Sequence, residues 1–116
     1  MLVVIAPEPD FNEFLIDRYL AAIELIGVEA VLVVNKLDLC DAARRARLEA
    51  RLATYVRIGY PLLHASVRTA EGLGELRTRL AGRTGILVGQ SGVGKSSLVR
   101  ALLPEAEVIG RPRFST

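Results

Sequence analysis

An α/β fold, with a mostly parallel sheet flanked by helices, is predicted by three observations. Short runs rich in Val, Ile and Leu recur at residues 2–6, 31–34, 61–65 and 86–88, and each precedes a stretch with helical spacing. The runs are continuously apolar rather than alternating, which marks strands buried on both faces. The chain of 116 residues is 51% hydrophobic and 24% charged, enough for one domain with a real core and too apolar for disorder.

The first strand, 2–6, runs into a loop with two prolines. Asp10 is the expected N-cap of the first helix, with Glu13 three residues on. Leu15, Tyr19, Ile23 and Ile26 form that helix's apolar stripe, and Gly27 stands where a C-terminal cap belongs. The second strand is 31–34. Residues 41–58 read as an Arg-rich amphipathic helix with Leu48, Leu52, Tyr55 and Val56 on its apolar side. The third strand is 61–65, and 72–80 a short helix. The fourth strand is 86–88, and the last helix, 96–103, is stopped by Pro104. The tail 110–116 lacks a hydrophobic pattern and reads as a flexible loop.

Composition removes several function classes. No apolar run approaches the roughly 18 residues of a membrane span, and residues 1–9 lack the basic leader of a signal peptide. The lone Cys40 has no internal disulfide partner, so a reducing cytoplasm is expected. Absence of Trp and 5% aromatic content argue against a base-stacking single-strand binder. The net charge of +2 is too small to imply a nucleic-acid partner by itself. Lys36 and Lys95 are the only lysines, and both fall inside motifs.

Parallel sheets bind ligands at the carboxyl ends of their strands, so the motifs there carry the chemistry. Gly89-Gln90-Ser91-Gly92-Val93-Gly94-Lys95-Ser96 fits GxxxxGK[ST] between the fourth strand and the last helix. Its glycines let successive N–H groups face a phosphate at a helix N-terminus. Lys95 supplies a point charge for the terminal phosphates, Ser96 a hydroxyl for Mg²⁺, and Ser97 continues the loop into the helix. The signal is strong for a nucleotide and silent about its base.

Asn35-Lys36-Leu37-Asp38 follows the second strand directly. A carboxylate accepts from both N1–H and N2–H₂ of guanine, whereas adenine offers an acceptor at N1 and no 2-amino group. Asp38 therefore selects guanine, Asn35 ties the loops together, and the Lys36 stem covers a base face. A backbone N–H near Ser66, at the end of the third strand, is placed to donate to guanine O6. His64, the only histidine, reads as a packed side chain and Cys40 as filler.

The NKxD at Asn35 precedes the glycine-rich loop at Gly89, the reverse of ordinary G proteins. Both motifs are expected to cap neighbouring parallel strands, so that joining the old termini and cutting one loop preserves the site. This is the order of the circularly permuted GTPases. Within them the chain resembles the RsgA family, the bacterial small-ribosomal-subunit-dependent GTPases. The resemblance rests on Ile16-Asp17-Arg18-Tyr19-Leu20, on residues 31–39, on Ser66 with Glu71-Gly72-Leu73 and Glu75-Leu76, and on residues 89–98. Other permuted GTPases usually carry Pro-Asn where this loop has Ser91-Gly92.

The resemblance implies a circularly permuted P-loop G domain that binds GTP or GDP with Mg²⁺. It also implies hydrolysis of GTP on the small ribosomal subunit, in contact with its rRNA, during late subunit maturation. A monomer without membrane association is expected. Two departures stand out. Val67 replaces the family's usual Ala, and the chain contains Asp10, Asp17, Asp38 and Asp41 but no DxxG. Residues 1–116 thus read as a partial G domain with impaired hydrolysis of its own, in which Thr116 aligns loosely with the Mg²⁺-contacting switch threonine. The family's oligonucleotide-binding barrel and zinc domain, and with them the zinc, lie outside these residues. A permuted GTPase of large-subunit assembly, a P-loop ATPase or kinase, and a nucleotide-binding module without hydrolysis are the alternatives.

Overall fold

The computed structural model describes residues 1–6, 12–82, 84–90, 93–102 and 113–115. Its strands are β1 (Leu2–Ile5), β2 (Val31–Val34), β3 (Leu62–His64), β4 (Thr84–Val88) and β5 (Arg113–Ser115), and its helices α1 (Glu13–Ile26), α2 (Ala42–Ile58), α3 (Leu73–Leu80) and α4 (Lys95–Leu102). The sheet order is β3-β2-β1-β4-β5, with every neighbouring pair parallel. A parallel sheet with helices is the predicted class.

Period-two alternation explains how both faces are filled. Leu2 and Val4 of β1, with Val31 and Val33 of β2, pack against Leu73, Leu76 and Leu80 of α3 and Leu98 and Leu102 of α4. Val3, Ile5, Leu32 and Val34 face the other way, onto Ile16, Leu20 and Ile23 of α1 and Leu48, Leu52 and Tyr55 of α2. Each central strand is therefore apolar at every position, and β1 and β2 are buried throughout.

Several expectations shift. Asn12, not Asp10, caps α1: its backbone is extended and its side chain accepts the Phe14 N–H at 2.8 Å. Asp10 lies outside the described residues. The buried stripe of α1 is Ile16, Leu20 and Ile23, one position on from Leu15 and Tyr19; Ile26, the last helical residue, is exposed. Val56 is likewise exposed while Leu48, Leu52 and Tyr55 are buried. Asp41 caps α2 by accepting the Arg44 N–H at 2.7 Å, and Gly27 ends α1 in the left-handed region as expected. The tail is not wholly a loop. Residues 113–115 pair with Thr84, Gly85 and Ile86 of β4 through main-chain groups, which need no hydrophobic pattern.

The motif-bearing strands β2 and β4 are not neighbours. β1 lies between them, paired with both, so the two motifs approach each other across the carboxyl end of β1.

Candidate functional site

Three loops leave the carboxyl ends of β2, β3 and β4, and one hydrogen bond joins the first to the last. Asn35 is 1% exposed and its Nδ2 donates to the Val93 carbonyl at 2.9 Å. Its own N–H donates to the Ile5 carbonyl at 2.7 Å, so the residue is pinned from β1 as well. Its Oδ1 has no hydrogen-bond partner among the described residues. Beside it, Gly94 has φ +89°, and a Cβ there would stand 2.6 Å from Asn35 Nδ2. Only glycine lets the two loops come this close.

Asp38 sits in the short 3₁₀ turn Leu37–Leu39, exposed, with Oδ1 accepting from the Ser66 hydroxyl at 2.8 Å. That hydroxyl also accepts the Thr69 N–H at 3.3 Å. The expectation that a backbone N–H near Ser66 would be free for a ligand fails for Ser66 itself. Its N–H donates to the Glu71 carbonyl at 2.9 Å, because the chain turns back on itself there. Glu71 is held in turn by Arg45 of α2 at 2.7 Å, a bond that pushes the guanidinium pKa up. Gly72, at φ +75°, closes the turn so tightly that a Cβ would collide with the His64 carbonyl.

Asn35, Lys36, Asp38, Leu39, Val67, Arg68, Gly94 and Ser97 border one cavity of about 390 Å³. Lys36 holds a left-handed backbone (φ 59°), uncommon outside glycine and a mark of functional loops. The glycine-rich loop meets this cavity at its far end. Lys95 Nζ donates to the Gly89 carbonyl at 2.6 Å, spanning the loop it follows. Gly89 abuts β1, where a Cβ would stand 2.6 Å from the Val4 carbonyl. Ser96 and Ser97 occupy the first turn of α4 and are exposed.

The structure thus brings Asn35, Lys36, Asp38, Ser66, Gly94 and Ser97 together. Gly89, Gln90 and Val93 instead line a small crevice against Ile5 of β1 and Asn12, Leu15 and Tyr19. The Val93 side chain is in the core, and only its carbonyl faces the site. Ser91, Gly92 and Thr116 lie outside the described residues. Arg68 escaped sequence reasoning, since one arginine among many carries no pattern. His64 Nε2 lies 3.2 Å from Glu49 Oε1, away from the cavity, and burial pushes the Cys40 thiol pKa up. Among the described residues no cluster of His, Cys, Asp and Glu could hold a metal by itself, and no helix is long and apolar enough to cross a membrane.

A family model described as RsgA GTPase matches residues 1–111. The small ribosomal subunit biogenesis GTPase RsgA of Azotobacter vinelandii is 51% identical over 104 residues, covering 90% of this chain and 30% of that protein. The protein of the same name from Shouchella clausii is 43% identical over 124 residues, covering 100% of this chain and 42% of its own length. The chain therefore spans well under half of these curated relatives. Among solved structures, YjeQ from Thermotoga maritima superposes with a TM-score of 0.85 at 28% identity, over 97% of this chain and 45% of that one. YloQ, described as a circularly permuted GTPase, gives 0.75 at 27% identity, over 89% and 36%. Motif order, the sheet and these matches agree: the chain belongs to the RsgA GTPase family, with the fold of its circularly permuted GTPases.

Proposed function

We propose that this chain binds GDP and GTP with Mg²⁺ and forms the nucleotide-binding part of a GTPase that acts in small ribosomal subunit maturation. The observation that carries the reading is the Asn35–Val93 junction, which sets the guanine-selecting Asp38 and the phosphate loop on one cavity. The names of the relatives support the ribosomal setting. The small subunit and its rRNA are the proposed partners, and the cytoplasm the proposed location.

The chemistry follows from the residues. Asp38 keeps acceptor capacity beyond its bond to Ser66, enough to take N1–H and N2–H₂ of guanine. Adenine would leave that carboxylate facing an acceptor, a loss of specificity-grade size. Lys95 has three donors and uses one on Gly89, so the others serve phosphate oxygens. The Ser96 hydroxyl fits Mg²⁺, a hard cation that takes few protein ligands and completes its shell with phosphates and water. Bound there, Mg²⁺ supplies charge neutralisation at the β- and γ-phosphates. The Gly94 and Lys95 main chain holds the phosphates in place, and Lys95 offsets their charge.

Competition binding tests the reading. Labelled GDP is displaced from the chain by GTP and GDP but not by excess ATP; Lys95→Ala weakens both guanine nucleotides, and Asp38→Asn erodes the preference for guanine. Equal displacement by ATP would overturn it.

A further inference from the structure

The Asn35–Val93 bond is one connection between the base turn and the phosphate loop, and the helices that follow them supply a second. α3 starts directly after the turn whose Ser66 orients Asp38, and α4 starts directly after the phosphate loop. Arg77 of α3 spans the space between these helices, and its Nη2 donates to the Ala101 carbonyl at 2.9 Å. Ala101 lies in the last turn of α4, where carbonyls have no partner inside the helix. A guanidinium there satisfies such an acceptor and stands at the negative end of the helix dipole. Arg45, Arg51 and Arg79 pair with glutamate side chains at the surface, whereas Arg77 is half-buried and bonds main chain.

Both sides of this link are anchored. Gly72 abuts the His64 carbonyl at the start of α3, and Leu73, Leu76 and Leu80 are buried, so α3 keeps a fixed place beside the base turn. α4 inserts Leu98 and Leu102 into the same core. Its Leu98 N–H donates to the Gly94 carbonyl at 2.9 Å, so the helix continues the phosphate loop without a break. Eight residues make α4 about 12 Å long. Movement at Ala101 therefore pivots the whole helix about Leu98 and displaces Lys95 and Ser96 at its start.

We infer that Arg77 is a positioning residue for nucleotide binding, which braces α4 against α3 and so sets the spacing between the base turn and the phosphate loop. This role rests on the guanine-nucleotide reading above and adds to it a residue that does not border the cavity. A nucleotide must meet both subsites at once, so its affinity depends on their spacing as well as on each subsite alone. Asn35 sets that spacing next to the cavity, and Arg77 sets it from the opposite end of α4.

The test compares equilibrium titrations of GDP, guanosine and pyrophosphate into the wild-type chain, Arg77→Met and Arg77→Lys, each run well below the melting temperature of the variant. Arg77→Met keeps an unbranched stem and loses the donor; Arg77→Lys keeps a donor. Arg77→Met melts lower than the wild type and binds GDP roughly three- to tenfold more weakly, while guanosine and pyrophosphate each bind as before. Arg77→Lys regains most of the GDP affinity. Arg77→Gln, too short to reach the carbonyl, carries the same comparison if Arg77→Met does not fold. A lower melting temperature with unchanged GDP affinity overturns the inference, because the bond then serves folding alone. So does an equal loss for guanosine or pyrophosphate, which locates the damage in one subsite, or an Arg77→Lys variant as weak as Arg77→Met. A wild-type chain that fails to bind GDP overturns the guanine reading along with this one, whereas tight wild-type binding with an indifferent Arg77→Met overturns this one alone.

Discussion

The two ends of the cavity are held by different means. At the base end, side chains do the positioning: Ser66 bonds Asp38 at 2.8 Å, and Arg45 bonds Glu71 at 2.7 Å. At the phosphate end, space and main chain do it. Added carbons at Gly89 or Gly94 would each meet a neighbour at 2.6 Å, and Lys95 bonds a backbone carbonyl. Choosing a base requires particular donors and acceptors, so that end responds to single-atom changes. Wrapping a phosphate requires a shape, so the other end fails with any added carbon.

Gly94→Ala strikes both ends, because the new Cβ at φ +89° is driven against the Asn35 amide. Strain and overpacking together cost about 3 kcal/mol, roughly a hundredfold in GDP affinity, read by calorimetric titration. Tight binding by this variant would show that the phosphate end is not governed by shape. Asn35→Ala comes next. It removes the donor to the buried Val93 carbonyl without crowding the loop, and should cost about 2 kcal/mol of folding stability by chemical denaturation. It should also weaken GDP, GTP and GMP alike, since it loosens the junction rather than one end.

These positions differ in how far sequence revealed them. The strands and the two motifs were legible because each depends on local composition: apolar runs for the sheet, glycines with Lys95 and Ser96 for the loop. Asn35 as a tie between loops was legible too, but not that its partner is Val93. The insertion of β1 between β2 and β4 was hidden, since strand order is set by crossovers that leave no local mark. The stripe of α1 was misplaced by one residue, because the spacing admitted either Leu15 with Tyr19 or Ile16 with Leu20, and packing against Ile5 and Val34 chose the second. β5 was missed for a related reason: its pairing with β4 uses the backbone, which every residue has. Arg68 and Gly72 depend on a turn whose path only the folded chain defines.

A narrower probe of the base end is Ser66→Ala. Asp38 is exposed, so water replaces the hydroxyl at the carboxylate. Ser66 is buried, however, and its hydroxyl also accepts the Thr69 N–H, so folding stability falls by about 1 kcal/mol. The carboxylate loses its fixed orientation, and guanine nucleotides should bind about fivefold more weakly, a change of about 1 kcal/mol. The factor should be the same for GDP and GTP. A larger loss for GTP would tie Ser66 to the phosphate end and blur the division between the two.

The smallest effect is expected on the face that serves neither end. Tyr55 of α2 is buried against α1, where its hydroxyl donates to Asp17 Oδ1 at 2.6 Å and lies 3.3 Å from the Glu13 carbonyl. Burial first, and then the bond to Asp17, push its pKa up from 10.0. The folded state therefore keeps this proton at a pH where the unfolded chain has released it. The contribution is complete below about pH 10 and is lost as pH climbs from there toward the folded value. Tyr60, raised by its hydrogen bond to Glu24, adds the same sign. Tyr55→Phe should thus lower stability by about 1 kcal/mol at neutral pH and flatten, without abolishing, the fall in melting temperature above pH 10. Its GDP affinity at pH 7 should equal the wild type's. An altered affinity would mean that the α1–α2 face reaches the cavity through β1 and β2, and that the two ends are not as separately held as their hydrogen bonds indicate.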